Sequence, residues 1–211
     1  MLRSAKSISC AALLLLCPAF AQATPLFDQQ HGPLGDFAGL AVASDRLQIQ
    51  TFTVGIDGIL MRIELKLSRL ANTTETVDCA LWSTDGAGLP ASLLTARSVQ
   101  PSVVNLSVPR TFISFDLESS AIGVFVGQVF ALVLTSNAPN NPPSFAERYE
   151  WEVGQQYDRG TAYTKIGNTY TPRSSDFHFK TVVDPVPEAN TALLTVLGLG
   201  ELVARRRRSK A

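Results

Sequence analysis

Short segments of alternating apolar and polar residues, separated by turn residues, constrain the fold of this 211-residue chain more than any other feature. In the clearest segment, from Met61 to Leu67, four apolar residues alternate with Arg62, Glu64 and Lys66. A period of two residues is that of a β-strand with one buried face, and no long stretch keeps the 3.6-residue period of a helix. The chain is therefore predicted to be all-β.

Further strands are predicted along the central part of the chain, at residues 47–54, 77–81, 112–117, 129–135, 149–153, 162–166 and 177–182. Turn residues that accept unusual backbone angles lie between them, as in Asp57-Gly58, Asp85-Gly86 and Gly167-Asn168. Regular spacing of short strands is typical of a sandwich or barrel. We predict a single antiparallel β-sandwich over residues 45–183, preceded by a lead-in segment at residues 24–44.

Four stretches of this body, at residues 50–54, 64–68, 84–90 and 128–134, look like parts of the jelly-roll modules found in secreted bacterial proteins. Such modules resemble carbohydrate-binding domains in fold. The resemblance implies a jelly-roll-like sandwich and supports the fold more than a function.

The N-terminal residues 1–23 have the three parts of a secretory signal peptide. Arg3 and Lys6 precede an apolar run at 11–16, and the stretch ends in Ala21-Gln22-Ala23, a cleavage pattern for signal peptidase. The apolar run is shorter than the roughly 20 residues needed to span a bilayer. We expect cleavage after Ala23. The alternative, a lipoprotein box ending at Cys17, fits less well because the bulky Leu16 precedes that cysteine.

The C-terminal residues 184–211 contain three features in a fixed order. A Val-Pro-Glu-Ala motif at 186–189 is followed by an apolar segment at 191–204, predicted to be a short helix, and then by a basic cluster of Arg205, Arg206, Arg207 and Arg208. This order resembles the PEP-CTERM sorting tail. In that family the tail holds the protein in the inner membrane, and an exosortase recognises the motif and is thought to cut there.

The resemblance implies that Pro187, Glu188 and Ala189 form the processing motif and that the arginines stay on the cytoplasmic side, in agreement with the positive-inside rule. Two residues depart from the family pattern: Ala189 replaces the usual second proline, and Glu201 lies within the apolar segment. The alternative is a C-terminal membrane anchor without processing, but 191–204 is short for a permanent span.

Charge and cysteine content limit the classes of partner. The formal net charge is zero, yet residues 24–184 carry 11 basic and 16 acidic side chains, a net charge of about −5. An acidic body argues against nucleic-acid binding, which needs clustered Lys and Arg. Once the signal peptide is removed, Cys79 alone remains; we expect it to be a buried apolar residue.

No catalytic or metal-binding motif is present. The body has two histidines: His31 in a Gly- and Pro-flanked segment, and His178, which alternates with phenylalanines and is predicted to face outward. No nucleophile elbow or zinc-binding helix motif accompanies them. Four carboxylates, Asp57, Glu75, Asp78 and Asp85, lack the spacing of a calcium loop, so structural calcium is a minor alternative. We predict neither an enzyme nor a cofactor.

Aromatic residues are concentrated between residues 149 and 170: Tyr149, Trp151, Tyr157, Tyr163 and Tyr170. Flat rings can stack on sugar rings, so Tyr149, Trp151, Tyr157 and Tyr163 are candidate glycan contacts. Alternatively, Tyr149 and Trp151 share one strand face and pack against the sheet, with tyrosine hydroxyls reaching water. The same two interpretations apply to Trp82.

Together these features predict a non-catalytic exported bacterial protein with a structural or adhesive role. It is expected to meet signal peptidase, an exosortase and, transiently, the inner membrane, and to reach the cell surface or the extracellular polysaccharide matrix. The alternatives are a secreted module that binds exopolysaccharide or another glycan, and a membrane-anchored protein without processing.

Overall fold

Two antiparallel sheets form a β-sandwich in the computed structural model, which describes residues 24–32, 38–139 and 147–186. The first sheet consists of β1 (Leu26–His31), β2 (Gly39–Val42), β4 (Gly58–Arg69), β7 (Thr111–Asp116), β8 (Ile122–Val124), β10 (Tyr149–Glu152) and β13 (Phe179–Pro185). The second consists of β3 (Arg46–Thr53), β5 (Val77–Thr84), β6 (Pro90–Val99), β9 (Val129–Ser136), β11 (Ala162–Ile166) and β12 (Thr169–Pro172). The prediction of an all-β antiparallel sandwich is confirmed.

The apolar sides of the two sheets face each other and form one continuous core. Leu65 of β4 and Phe179 of β13 contribute from the first sheet, and Leu132 of β9 and Leu81 of β5 from the second. Fully burying a side chain of this size contributes about 1.5–3 kcal/mol. The core between the sheets therefore holds the sandwich together.

β4 is the central strand of the first sheet. Along one edge it pairs first with β13 and then with β10, and along its other edge with β8 and β7. The register with β13 skips Met61, since Leu60 pairs with Val183 and Arg62 with Val182. This bulge turns Leu60 inward and leaves Met61 half-buried, so the predicted inward position of Met61 beside Ile63 is wrong.

The prediction that residues 24–44 form a lead-in outside the sandwich is wrong, because two strands of the first sheet lie in this range. β1 pairs with β13, and β2 pairs with β10, so both extend the first sheet. The sandwich therefore begins N-terminal to residue 45. The predicted signal peptide (1–23) and the motif and apolar segment of the C-terminal tail (from Pro187 onward) lie outside the described residues.

Candidate functional site

A cluster of charged side chains lies where β10 and β13 meet beside β4. β13 begins with Phe179 opposite Leu65, and the pairing of β10 with β4 ends with Trp151 opposite Leu67, so both strands converge on Lys66. The Lys66 backbone N–H donates to the carbonyl oxygen of His178, and the His178 N–H donates to that of Glu152. This pairing places the side chains of Lys66, Glu152 and His178 side by side.

The fully buried Glu152 carboxylate is the centre of this cluster. Its Oε1 lies 2.8 Å from Lys66 Nζ and 2.9 Å from His178 Nδ1. A second pair lies beside it, with Arg110 Nη2 2.6 Å from Glu150 Oε2, and Arg110 Nη1 is 4.0 Å from Glu152 Oε2. Lys66 and Arg110 are thus the two cationic groups near this buried carboxylate, and loss of either one would leave a buried charge uncompensated.

His178 is fully buried, contrary to the prediction that it faces outward to solvent. The prediction that it points away from its phenylalanine neighbours holds, because Phe177 and Phe179 belong to the core between the sheets. Distant segments cover its ring: the His31 ring centroid lies 5.3 Å away, and Gly32 and Gly154 pack on it. A Cβ at Gly154 would collide with His178 Nε2, so a substrate has no room at that nitrogen.

Burial, together with the nearby His31 and Lys66, lowers the pKa of His178 to about 4. Burial likewise lowers the pKa of His31, whose Nε2 lies 3.0 Å from the carbonyl oxygen of Gln155. Both imidazoles are therefore neutral at neutral pH. A neutral, enclosed His178 packed against the Glu152 carboxylate lies at the junction of three strands and offers no accessible proton-transfer group.

Two of the four predicted glycan contacts are core residues. Tyr149 and Trp151 have no exposed surface; the Tyr149 hydroxyl donates to the Glu75 carbonyl oxygen at 2.5 Å, and Trp151 Nε1 donates to that of His178 at 2.9 Å. Trp151 also stacks on Phe177, with ring centroids 4.3 Å apart. Their role as glycan contacts is thus wrong, because a sugar cannot reach either ring.

Tyr157 lies apart from the other candidates, at one end of the sandwich. Its hydroxyl donates to Gln29 Oε1 at 2.6 Å, and its ring packs edge-on against Phe179. It borders an open polar pocket of about 230 Å³, which Asp158, Arg173 and Asp176 also line. Because its ring is engaged on the protein side, Tyr157 does not present a flat stacking surface.

Tyr163 lies on the outer side of the second sheet, where an aromatic face is formed. Beneath this face a small apolar cluster of Ile49, Ala131 and Val133 is separate from the main core. Trp82, Tyr163 and Tyr170 pack against that cluster and are half-buried. These three residues and the cluster beneath them form the aromatic face.

The aromatic face follows the strand order of the second sheet. Tyr163 pairs with Ile49, which pairs with Val133, while Trp82 lies further across the sheet, opposite Ala131. The ammonium of Lys165 lies 5.0 Å from the centroid of the Tyr170 ring. Tyr170 on β12 and Trp82 on β5 are four strand spacings apart, about 19 Å, so the face is an elongated surface.

Two of the four carboxylates considered as calcium ligands accept hydrogen bonds from backbone N–H groups. Asp85 Oδ1 accepts hydrogen bonds from the N–H groups of Ala87 and Leu89, and Asp57 Oδ1 accepts from that of Val126. Within residues 24–32, 38–139 and 147–186, no three His, Cys, Asp or Glu side chains lie close enough together to hold a metal ion. Cys79 is buried in the core, and burial raises the pKa of its thiol.

The residues predicted to direct sorting lie outside the part of the chain that the structure describes: Ala21, Ala23, Pro187, Glu188, Ala189 and the arginines 205–208. None of the described helical segments is long and apolar enough to cross a bilayer. Compared with known proteins, the chain matches no protein-family model, and no curated protein is found to be similar to it.

Proposed function

We propose that this protein is a non-catalytic exported protein that an exosortase sorts to the cell surface or the extracellular polysaccharide matrix, with a structural or adhesive role. The observation that carries the proposal is the order of features after β13. The strand ends at Pro185, and the processing motif, the apolar segment and the arginine cluster follow at once. A sorting tail needs to be placed in this way, directly after a completed domain.

The charged cluster supports the non-catalytic part of the proposal. General acid or base catalysis requires a titratable group within hydrogen-bond reach of a substrate. His178 and Glu152 are both fully buried, and Gly154 packs on the imidazole nitrogen that faces away from Glu152. His178, the described histidine whose pKa is lowered most, is therefore inaccessible to a substrate.

The first test is the mass of the protein in membrane and released fractions of its native host, for wild type and Glu188→Ala. We expect released wild type to end near residue 188 and the variant to keep its tail in the membrane, because the exosortase would no longer recognise the motif. Glu201→Ala is the matched control: it removes a carboxylate from the same tail but leaves the motif intact. Wild type that keeps its arginine cluster and stays in the membrane would reject sorting and favour the plain anchor.

A second candidate function, glycan binding, is favoured by the aromatic face rather than by the whole 149–170 region. Trp82, Tyr163 and Tyr170 line one elongated outer surface, and Lys165 lies beside Tyr170. Aromatic faces supply large, rigid and partly polar contact area, which suits the apolar faces of sugar rings in a chain. An exported protein in a polysaccharide matrix would meet such a ligand.

Binding to exopolysaccharide purified from the native host tests this candidate. We expect Tyr163→Ala and Trp82→Ala each to weaken binding roughly twofold to tenfold, since one aromatic contact contributes about 0.5–1.5 kcal/mol. Phe125→Ala is the control, because Phe125 is an aromatic residue that is 61% exposed on a different surface. Equal binding by wild type and both face variants, or no binding by wild type, would exclude the aromatic face as a glycan site.

A further inference from the structure

We infer that the end of the sandwich from which the C-terminal tail leaves rests on the bilayer surface while the tail is inserted. This inference builds on the proposed sorting function and adds a lipid-contacting surface to it. The surface, here called the apolar end, consists of Leu26, Phe125, Val126 and Val186. These side chains are 50%, 61%, 59% and 59% exposed, respectively.

The apolar end is carried by four neighbouring strands of the first sheet and the residues that directly follow them. Leu26 of β1 pairs with Val183 of β13, Pro185 of β13 pairs with Gly58 of β4, and Gly58 pairs with Val124 of β8. Asp57, just before β4, is hydrogen-bonded to both Val126 and Val186. Its side chain accepts from the Val126 N–H at 2.6 Å, and its carbonyl oxygen accepts from the Val186 N–H at 3.2 Å.

The exposed pair Phe125 and Val126 is held in place by a formed turn. The Gln128 N–H donates to the Phe125 carbonyl oxygen, and the Gln128 side chain accepts from the Phe125 N–H. Gly127 has φ +86°, as the third residue of a type II turn requires. Two large apolar side chains are thus presented to the outside on an ordered turn, which is typical of a contact surface.

A cation lies beside this turn. Arg159 Nη2 and the Gly127 N–H both donate to the Val54 carbonyl oxygen, at 3.2 and 3.0 Å. A guanidinium next to exposed apolar side chains matches the layering of a bilayer surface, where phosphate groups lie just outside the acyl chains.

The length of the connecting chain determines which end faces the membrane. From Val186 to the start of the apolar segment at residue 191, the chain spans at most about 18 Å. The headgroup layer is about 5–8 Å thick on each side. The opposite end of the sandwich lies the length of the 12-residue β4 away, about 40 Å. If residues 191–204 are inserted, the apolar end is therefore the part of the body nearest to lipid.

An exposed apolar loop at the opposite end provides the matched control. Val103 is 58% exposed, nearly the same as Val126, and it follows β6, whose last residue pairs with the first residue of β5. The chain without the signal peptide, residues 24–211, is reconstituted in phosphatidylcholine and phosphatidylglycerol vesicles, and a nitroxide label is attached to Val126→Cys or Val103→Cys. Wild type gives the background, since Cys79 is 2% exposed.

We expect the label at 126 to be relaxed more by oxygen, which concentrates in lipid, than by a water-soluble nickel complex, and the label at 103 to show the reverse. If the vesicles carry the protein on flotation but both labels report water, the inference is wrong and tail insertion stands. If 103 contacts lipid instead of 126, the orientation is wrong. Protein that does not float with vesicles would overturn both tail insertion and the lipid contact.

A second measurement uses processing in the native host. Moving the apolar end off the bilayer should displace the motif at 187–189 from the membrane surface. We expect Phe125→Ser combined with Val126→Ser to slow release of the processed protein severalfold, and Val103→Ser to leave it unchanged. Equal release rates for the double variant and wild type would show that the contact does not assist sorting.

Discussion

Burying the imidazole of His178 makes the stability of this protein depend on pH. In the folded protein its pKa is lowered to about 4, chiefly by burial, with His31 and Lys66 adding to the effect. The nearby Glu152 carboxylate acts in the opposite direction, but it is also 2.8 Å from the Lys66 ammonium. The unfolded chain takes up a proton on this histidine near pH 6.5, while the folded protein does not.

We therefore predict that the free energy of unfolding falls as pH drops from about 6.5 to about 4, by about 2–3 kcal/mol from this group. The stability is fully present above the unfolded pKa and is lost toward the folded one. Urea unfolding at intervals between pH 8 and 4 measures it. His178→Gln should have a flatter profile in that window, even though it is less stable at pH 8. Parallel profiles for the two proteins would contradict the assignment.

The sequence could not predict the surroundings of His178. Alternation with Phe177 and Phe179 correctly places its side chain on the opposite side of the strand from the core. The residues that enclose the imidazole, Gly32 and Gly154, are far from His178 in sequence. Two glycines whose missing side chains make room for one ring are not visible as a motif. Local periodicity therefore cannot predict that a residue is buried by backbone segments distant in sequence.

At the scale of the strand, periodicity locates a strand but not its inward face. β3 directs Gln48 and Gln50 into the sandwich and Ile49 to the outer face. The inward glutamines are bound: Gln50 Nε2 donates to Asp176 Oδ1 at 2.9 Å, and its Oε1 accepts from the Phe177 N–H. These partners offset the cost of burying amides. The strand can therefore keep glutamines on its inward side while Ile49 lies under the aromatic face.

The strands that the sequence did not predict share a position in the sheets. β1, β2, β6, β8 and β12 each pair with a single neighbouring strand. Strands in such positions bury less surface and carry more polar residues, so their alternation is weak. The strands that were predicted include all those paired on both sides, where burial enforces the pattern. The aromatic face was only partly foreseen for the same reason, since Tyr170 lies on the edge strand β12.

At the scale of the molecule, the shared core predicts that the two sheets unfold together. Leu65 of the first sheet and Leu132 of the second are both fully buried in the same cluster. Truncating either to alanine should cost about 2–5 kcal/mol and shift one common transition. Leu93→Ala is the control, because Leu93 is 54% exposed on β6 and should change stability by less than about 0.5 kcal/mol.

Fluorescence and circular dichroism can test this cooperativity in one titration. Trp151 lies in the core against the first sheet, and Trp82 on the outer face of the second, so their combined emission follows both sheets. The far-ultraviolet signal follows the strands as a whole. We expect the two denaturation curves to coincide for wild type and for both leucine variants, because neither sheet can bury its apolar side without the other. Separate midpoints, with Leu65→Ala moving only one of them, would mean that each sheet is stabilised independently.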